Sequence, residues 1–599
     1  MPQENASAVY RQLIAGYTVQ YTAINRKHNR LSLLRLCVAL LTILLIYIYF
    51  GAKQPWILYL AIANAIAFVL LMKWHSKTAY QKLRLKTLLQ INEEELAYLE
   101  KGALPFSDGS SYKDELHTHA YAADLDLFGS RSLYQHLNRT ATQPGKDCLA
   151  DALLHLSTEQ TISDRQKAIA ELGPLLAARQ EYYASARIAG DSKDVYERLI
   201  RWAAAEEPPV NKVLLGACYV LSGLLIGALA LYLLLRTPLY SDIALKLFVL
   251  NLFIFTVQIK RVRRAMFGVD KVHELLQRYA ALLRQTEEAA YTSPYLKVMQ
   301  EKLQPAGIKS STLLQQLASI YARLETVQNP FAAIITNGLY FNHIFALQKL
   351  SKWKAAHAAH LVQWLEVAGV MEMLNSMANL HYNNPGFCFP SLNQEQQLSF
   401  TALGHPLIPE AKRVCNDISF NHHRFVILTG SNMSGKSTFL RTLGVNMVLA
   451  GAGSVICAQA ADVHPLRVFV SMRQSDSLAD SESYFFAEVK RLQYIMEQLG
   501  NEVCFVLLDE ILRGTNSDDK RSGTIGVIEK IIRKKAIGAI ATHDLEVCLT
   551  TNAHPDILRN KCFEVEIIKD ELVFDYKLRD GICQNKSATF LMKKMQIIA

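Results

Sequence analysis

The stretch Ile427-Leu-Thr-Gly430-Ser431-Asn432-Met433-Ser434-Gly435-Lys436-Ser437-Thr438 constrains the fold of this chain more than any other. An apolar run, Phe425 to Leu428, reads as a buried strand, and Phe439, Leu440, Leu443 and Met447 after it repeat with a helical period. Between them lies G-x-x-x-x-G-K-S, so the order is strand, glycine-rich loop, helix, the context that a phosphate-binding loop requires. Gly430 and Gly435 let the backbone turn tightly, so that successive N–H groups from Ser431, Asn432, Met433 and Ser434 point inward at phosphate oxygens. The N-terminus of the following helix, at Thr438 and its neighbours, adds the positive end of its dipole. Lys436 is expected to reach the β- and γ-phosphates, and the Ser437 hydroxyl to ligate Mg²⁺.

Downstream, Cys504-Phe-Val-Leu-Leu-Asp509-Glu510 is an apolar strand ending in two carboxylates, expected beside the strand that leads into the loop. Asp509 is the candidate Mg²⁺ ligand, directly or through water. Glu510 is the candidate for orienting and polarising an attacking water. Ala536 to Asp544 forms another strand with a polar tip, where His543 is a candidate contact for the γ-phosphate or the water. The segment from Asp476 through Ser483 and Phe485 to Glu488 reads either as a capped helix start or as a helix N-terminus that meets a phosphate from outside. Short β-rich runs (425–428, 468–470, 504–508, 536–541, 563–568 and 572–577) alternate with helices from about residue 400, which argues an α/β domain with a largely parallel sheet.

The 599 residues leave room for several domains, and the hydrophobic share of 50% has a local cause. Leu36–Ala52 and Pro55–Met72 are uncharged runs of nearly bilayer-spanning length, parted only by Lys53 and Gln54. Arg26, Lys27, Arg30 and Arg35 precede this hairpin, and Lys73, Lys77, Lys82, Arg84 and Lys86 follow it. Basic flanks of this kind put both ends on the cytoplasmic side of an inner, multi-pass membrane segment. A second hairpin reads from Val213–Leu235 and Ile243–Ile259, with Lys260, Arg261, Arg263 and Arg264 at its exit. The apolar stretch Phe331–Leu347 contains Asn337, Asn342 and His343 and reads as a packed or interfacial helix. Helical stripes (Val272, Leu275, Leu276, Tyr279, Leu282, Leu283; then Trp364, Leu365, Val367, Ala368, Met371, Leu374, Met377) read as core packing. The ten scattered cysteines contain no C-x-x-C pair, which argues against a disulfide framework or zinc site. A net charge of +10 is compatible with nucleic acid or with membrane flanks.

Several of these residues together resemble one family. T-G-S-N-M-S-G-K-S-T at 429–438 is similar to the loop of the MutS-type DNA mismatch repair ATPases, with Asn432-Met433 the distinctive pair. The D-S-L-A-x-S-x-S-x-F-x-x-E stretch, Leu507–Thr515, Ala541-Thr542-His543 and Gly404-His405-Pro406 resemble further motifs of that family. Asn138-Arg139-Thr140 with its surroundings, and Met371–Leu380, look like its helical core and levers. The resemblance implies ATP and Mg²⁺ as cofactors and a homodimer in which Ser483 reaches the partner's nucleotide in trans. Lys436, Ser437, Asp509, Glu510 and His543 would then act in cis.

The fold class expected is therefore multidomain: N-terminal and internal transmembrane helical hairpins, an all-α core and lever, and a C-terminal α/β P-loop ATPase domain of ABC/MutS type. The boundaries read as an N-terminal segment 1–30, hairpin 31–72, helical core 73–212, hairpin 213–259, lever 260–400 and ATPase 401–599. No stretch before residue 120 resembles the family's mismatch reader, Leu512 stands where a small residue is expected, and no extended module is expected after Ala599. Three functions follow as alternatives: a membrane-anchored ATPase that also binds DNA in a mismatch-repair-related role, an ATP-driven membrane switch without DNA, and an ABC-type transporter. Partners expected are a second copy of the chain, membrane lipid and DNA.

Overall fold

The computed structural model describes residues 6–113, 119–190, 192–205, 209–266, 272–431, 433–472, 484–500, 502–568 and 571–583. Two helices of 47 residues, α1 (Ala6–Ala52) and α2 (Pro55–Lys101), pack along each other as a long hairpin. Each is about 70 Å long at 1.5 Å per residue. Lys53, at φ +50°, and Pro55 at the first helical position make the tip, and Gly102, at φ +65°, ends α2. The limits read at 30/31 and 72/73 fall inside these continuous helices. The switch from polar to apolar residues there changes the surroundings and leaves the backbone alone, because no proline, glycine or capping residue interrupts it.

A small helical core follows: α3 (Leu133–Leu137), α4 (Gln143–Leu154), α5 (Glu159–Leu172), α6 (Leu176–Ala189) and α7 (Lys193–Ala204). Ser132, Thr142, Thr158 and Ser192 cap α3, α4, α5 and α7 by accepting a backbone N–H. The second hairpin is α8 (Lys212–Leu235) and α9 (Pro238–Ala265). Among the described residues α1, α2, α8 and α9 are long and apolar enough to cross a membrane, by length and composition. At most 22% of any of their apolar windows is buried against protein, so most of that apolar surface faces outward.

Next come α10 (Val272–Glu288), α11 (Pro294–Lys302), α12 (Ser310–Glu325), α13 (Pro330–Tyr340) and α14 (Asn342–Asn383). Both apolar stripes read from the sequence, on α10 and α14, are buried. The 42-residue α14, about 63 Å long, connects the distant parts. Its start packs on the second hairpin, where Phe345 stacks on Tyr219 and His343 on Phe255. Near its end Asn379 and Asn383 donate to buried Glu95 of α2, and the Tyr10 hydroxyl of α1 donates to Asn383. Glu95 also pairs with buried Arg139, whose guanidinium lies 3.4 Å from the Phe106 ring centroid. About three-quarters along, Glu372 of α14 accepts from the backbone N–H groups of Ala141 and Thr142 and from the Thr142 hydroxyl, at the start of α4.

The C-terminal part is α/β. In chain order it runs β1 (Ser391–Leu392), β2 (Leu398–Leu403), β3 (Asn416–Ser419), β4 (Phe425–Gly430), α15 (Lys436–Ala452), β5 (Ala460–Val463), β6 (Arg467–Ser471) and α16 (Tyr484–Gln498). It continues with β7 (Cys504–Asp509), α17 (Ser517–Arg533), β8 (Ile537–Ala541), α18 (Leu545–Cys548), α19 (Thr550–Ala553), β9 (Leu558–Ile568) and β10 (Glu571–Asp580). All six strand stretches read from the sequence fall in one sheet, ordered β10-β9-β4-β8-β7-β6, with only β10 antiparallel to its neighbour. A second sheet, β1-β5-β2-β3, is built from strands of two to six residues that carry no strong sequence pattern.

One expectation is corrected. The carboxylate strand β7 does not lie beside the loop strand β4; β8 lies between them. Leu428 and Asp509 both face Ala541 across their ladders. The middle strand carries Gly538, Ala539 and Ala541, and a Cβ on Gly538 would come within 1.8 Å of the Val506 carbonyl oxygen. β8 thus fits closely between its neighbours, and a carboxylate at the end of β7 reaches across it to the loop.

Candidate functional site: the loop after the central strand

β4 ends at Gly430, and α15 begins after Gly435 at φ +102°. A side chain at Gly430 would meet the Ser434 Oγ at 2.5 Å and the Phe563 carbonyl oxygen at 2.9 Å. Lys436 is buried, and its Nζ donates to the carbonyls of Gly430 (2.7 Å) and Ser431 (2.9 Å), so the ammonium lies inside the curve of the loop. Burial lowers its pKa, and the nearby carboxylates of Glu510 and Asp509 oppose that shift. Met433 takes φ +68° with its side chain exposed. Ser437 and Thr438 open α15 on the exposed side. Asn432 lies outside the described residues, as does the part of the Asp476–Glu488 segment from Asp476 to Ser483.

Asp509 closes the site from below. The Ser437 hydroxyl donates to its carboxylate, and burial pushes its pKa up while that hydrogen bond pulls it down. Asp509 Oδ1, Ser431 Oγ and Ser434 Oγ are buried with no hydrogen-bond partner among the described residues. A hydroxyl and a carboxylate with a free oxygen are hard donors that suit Mg²⁺. Among the described residues no cluster of three or more His, Cys, Asp or Glu could hold a metal.

The residue after Asp509 is strained. Glu510 has φ +47° and Leu512 φ +62°, regions that cost a non-glycine residue about 1–3 kcal/mol each. The surroundings hold this turn. The Glu510 N–H donates to the Ala541 carbonyl (2.9 Å), and Glu488 accepts from the N–H groups of Leu512 (2.7 Å) and Arg513 (3.2 Å). Arg513 turns back to the Glu510 carbonyl (2.9 Å) and carboxylate (3.4 Å), and His543 Nδ1 stands 3.6 Å from the other carboxylate oxygen. Leu512 fills the space above Gly523, where a Cβ would meet its Cδ1 at 2.5 Å. The larger residue at 512 is thus matched by a missing side chain on α17.

Lys436, Ser437, Asp509, Glu510 and His543, from three separate stretches of sequence, therefore converge at one edge of the sheet. Glu488 ends the D-S-L-A-x-S-x-S-x-F-x-x-E stretch, but its contact with the turn is seen only in the fold. The place of a second neighbour, Tyr576, was not legible beforehand. Tyr576 lies against Gly435, stacks with Phe574 at 6.0 Å and has its carbonyl held by Asn416. Its φ of +55° falls at an irregularity in the β9–β10 register between Phe574 and Leu578, which no local pattern announces.

Residues 426–597 match the family model for MutS domain V. The matched span begins inside β4 and takes in every converging residue just described. Similar proteins include a DNA mismatch repair protein MutS of Thermotoga sp. (strain RQ2), 32% identical over 235 residues, which is 38% of this chain and 28% of the relative. The MutS protein homolog 4 of Homo sapiens is 27% identical over 262 residues, 41% of this chain and 26% of the relative. The chain thus spans little more than a quarter of the length of these relatives, and the likeness is to domain V and its surroundings.

Proposed function

We propose that this chain is a membrane-anchored ATPase that binds Mg²⁺-ATP at the domain V loop, hydrolyses it and passes the change along α14 to its membrane hairpins. The observation that carries this reading is the convergence of Lys436, Ser437, Asp509, Glu510 and His543 around the loop between β4 and α15. In this reading the loop 430–438 cradles the phosphates and Lys436 neutralises them. Ser437 and Asp509 hold Mg²⁺, which draws charge off the phosphate oxygens when bound. Glu510, its backbone fixed by Ala541 and its carboxylate by Arg513 and His543, orients and polarises the attacking water. Tyr576 supplies an aromatic wall beside the loop on which a base stacks. Two copies of the chain close the site, with Ser483 acting in trans. Both hairpins ending on α14 favours the membrane switch over a transporter.

A second reading, DNA binding in a mismatch-repair-related role, is favoured by the relatives' printed names and by the net charge of +10. One experiment separates the two: the ATPase rate of the purified full chain without DNA, with duplex DNA and with mismatched DNA. A rate that DNA leaves untouched supports the switch; salt-sensitive stimulation supports the DNA reading. In either case Glu510→Gln should bind ATP yet hydrolyse it at least about a hundredfold more slowly. Hydrolysis at a near-normal rate would refute the assignment of the water-activating group.

A further inference from the structure

We propose that residues 326–348 form a re-entrant membrane element: α13 climbs into the hydrocarbon layer beside α8 and α9, the chain turns at Phe341, and α14 carries it back out. This rests on the reading of α8 and α9 as membrane spans. From Thr326 to Gln348 there is no Asp, Glu, Lys or Arg, while Glu325 and Lys349 bound the run. With 11 residues, or about 16 Å, α13 is too short to cross a hydrocarbon layer of about 30 Å.

Its depth follows from its contacts. The Asn251 side-chain amide donates to the Gly338 carbonyl at 2.8 Å, and a Cβ on Gly338 would lie 2.2 Å from the Phe248 ring. Lys260 is the first of the basic residues at the exit of α9. Counting back along the helix, Asn251 lies about 13 Å and Phe248 about 18 Å inside that basic collar. The end of α13 therefore sits near the middle of the layer. After the turn, His343 packs on Phe255, closer to the collar, so α14 is already on its way out.

A helix break at this depth is tolerated only if protein satisfies its backbone. Here it does. Phe341, at φ +52°, donates its N–H to the Asn337 carbonyl, and the Asn337 side-chain oxygen accepts the His343 N–H at 3.1 Å. The Asn337 amide also donates to His343 Nδ1 (2.6 Å), which leaves the ring proton on Nε2 facing the Thr326 hydroxyl (3.1 Å). That hydroxyl in turn donates to the Arg323 carbonyl (2.7 Å). The outer face of α13 carries no charge: Phe331 is 80%, Ile335 55% and Tyr340 43% exposed, alongside the outward apolar residues Val249 and Phe253 of α9. Lipid acyl chains are the occupant that such a charge-free face, at that depth, accepts.

The test uses the full chain in liposomes, with Cys37, Cys148, Cys388 and Cys415 replaced by serine and a nitroxide label at a single introduced cysteine. Labels at Phe331→Cys and Ile335→Cys are compared with span positions Val220→Cys and Leu250→Cys and with the exposed Gln316→Cys on α12. Collision rates with oxygen and with a water-soluble nickel chelate are read for each. The expected result is an oxygen-to-nickel ratio at 331 and 335 that matches 220 and 250 and exceeds 316 severalfold. A ratio at 331 and 335 equal to that at 316, with 220 and 250 still lipid-like, overturns the re-entrant element alone. Water-like values at 220 and 250 as well would overturn the membrane reading beneath it.

Discussion

Removing Glu95 tests how the first hairpin is fastened to the rest. Its carboxylate accepts from buried Arg139 and from the amides of buried Asn379 (3.1 Å) and half-buried Asn383 (3.2 Å). In Glu95→Ala the Arg139 guanidinium stays buried and cannot give up its proton. It keeps only the carbonyls of His136 (3.0 Å) and Asn138 (3.2 Å) and the faces of Phe106 and Tyr98. A buried charge stripped of its partner costs about 3–5 kcal/mol. Arg139→Met is milder, about 2 kcal/mol, because Glu95 keeps two amide donors. The double variant removes both charges and should cost less than the sum by at least about 1–2 kcal/mol. Thermal unfolding of the detergent-solubilised full chain reads this out, with a fall of about 2–4 °C expected for Glu95→Ala. Strict additivity, or a larger loss for Arg139→Met than for Glu95→Ala, would refute the reasoning.

Other perturbations have equally definite outcomes. Burial raises the Glu372 pKa to about 7, so the folded state holds a proton that the unfolded chain releases near pH 4.5. Stability from this group is thus fully present below pH 4.5 and lost as pH rises through 7. Relative to Glu372→Gln, the wild type should lose about 3 kcal/mol between pH 4.5 and 8, measured by denaturant unfolding at a series of pH values; a pH-independent difference would contradict the assignment. Gly538→Ala should force β8 and β7 apart, costing about 3 kcal/mol and displacing Asp509, which a nucleotide-binding titration and a melting curve would detect together. At position 512 the left-handed backbone should reverse the usual ranking. Leu512→Gly should be less destabilising than Leu512→Ala by about 1 kcal/mol, as a melting comparison would reveal.

Much of the site is readable in the linear chain because its chemistry is local. A loop such as Gly430–Ser437 needs its glycines, lysine and hydroxyl at set spacings, and apolar strands before Asp509 and His543 announce themselves by composition. The strand positions follow for the same reason, since alternation of short β-rich runs with helices is a local pattern. The four outward-facing apolar helices are likewise legible, as length and lack of charge suffice to recognise them. Their extent is not: α1 and α2 run on through polar residues, where nothing in the sequence stops a helix.

What depended on the tertiary structure was every relation between separate stretches. Which strand lies next to the loop strand goes with the close fit at Gly538 of β8, a relation that a strand's own pattern does not record. Glu488 and Tyr576 gain their places only when α16 and an irregular β10 come against the turn after β7 and the loop. Glu95, Arg139, Asn379 and Asn383 stand far apart in the chain, and each alone reads as an unremarkable polar residue. Local periodicity reports which face of an element is buried. Only the packed chain decides what that face is buried against, and it is there that the buried charges of α2 and the core meet their partners on α14.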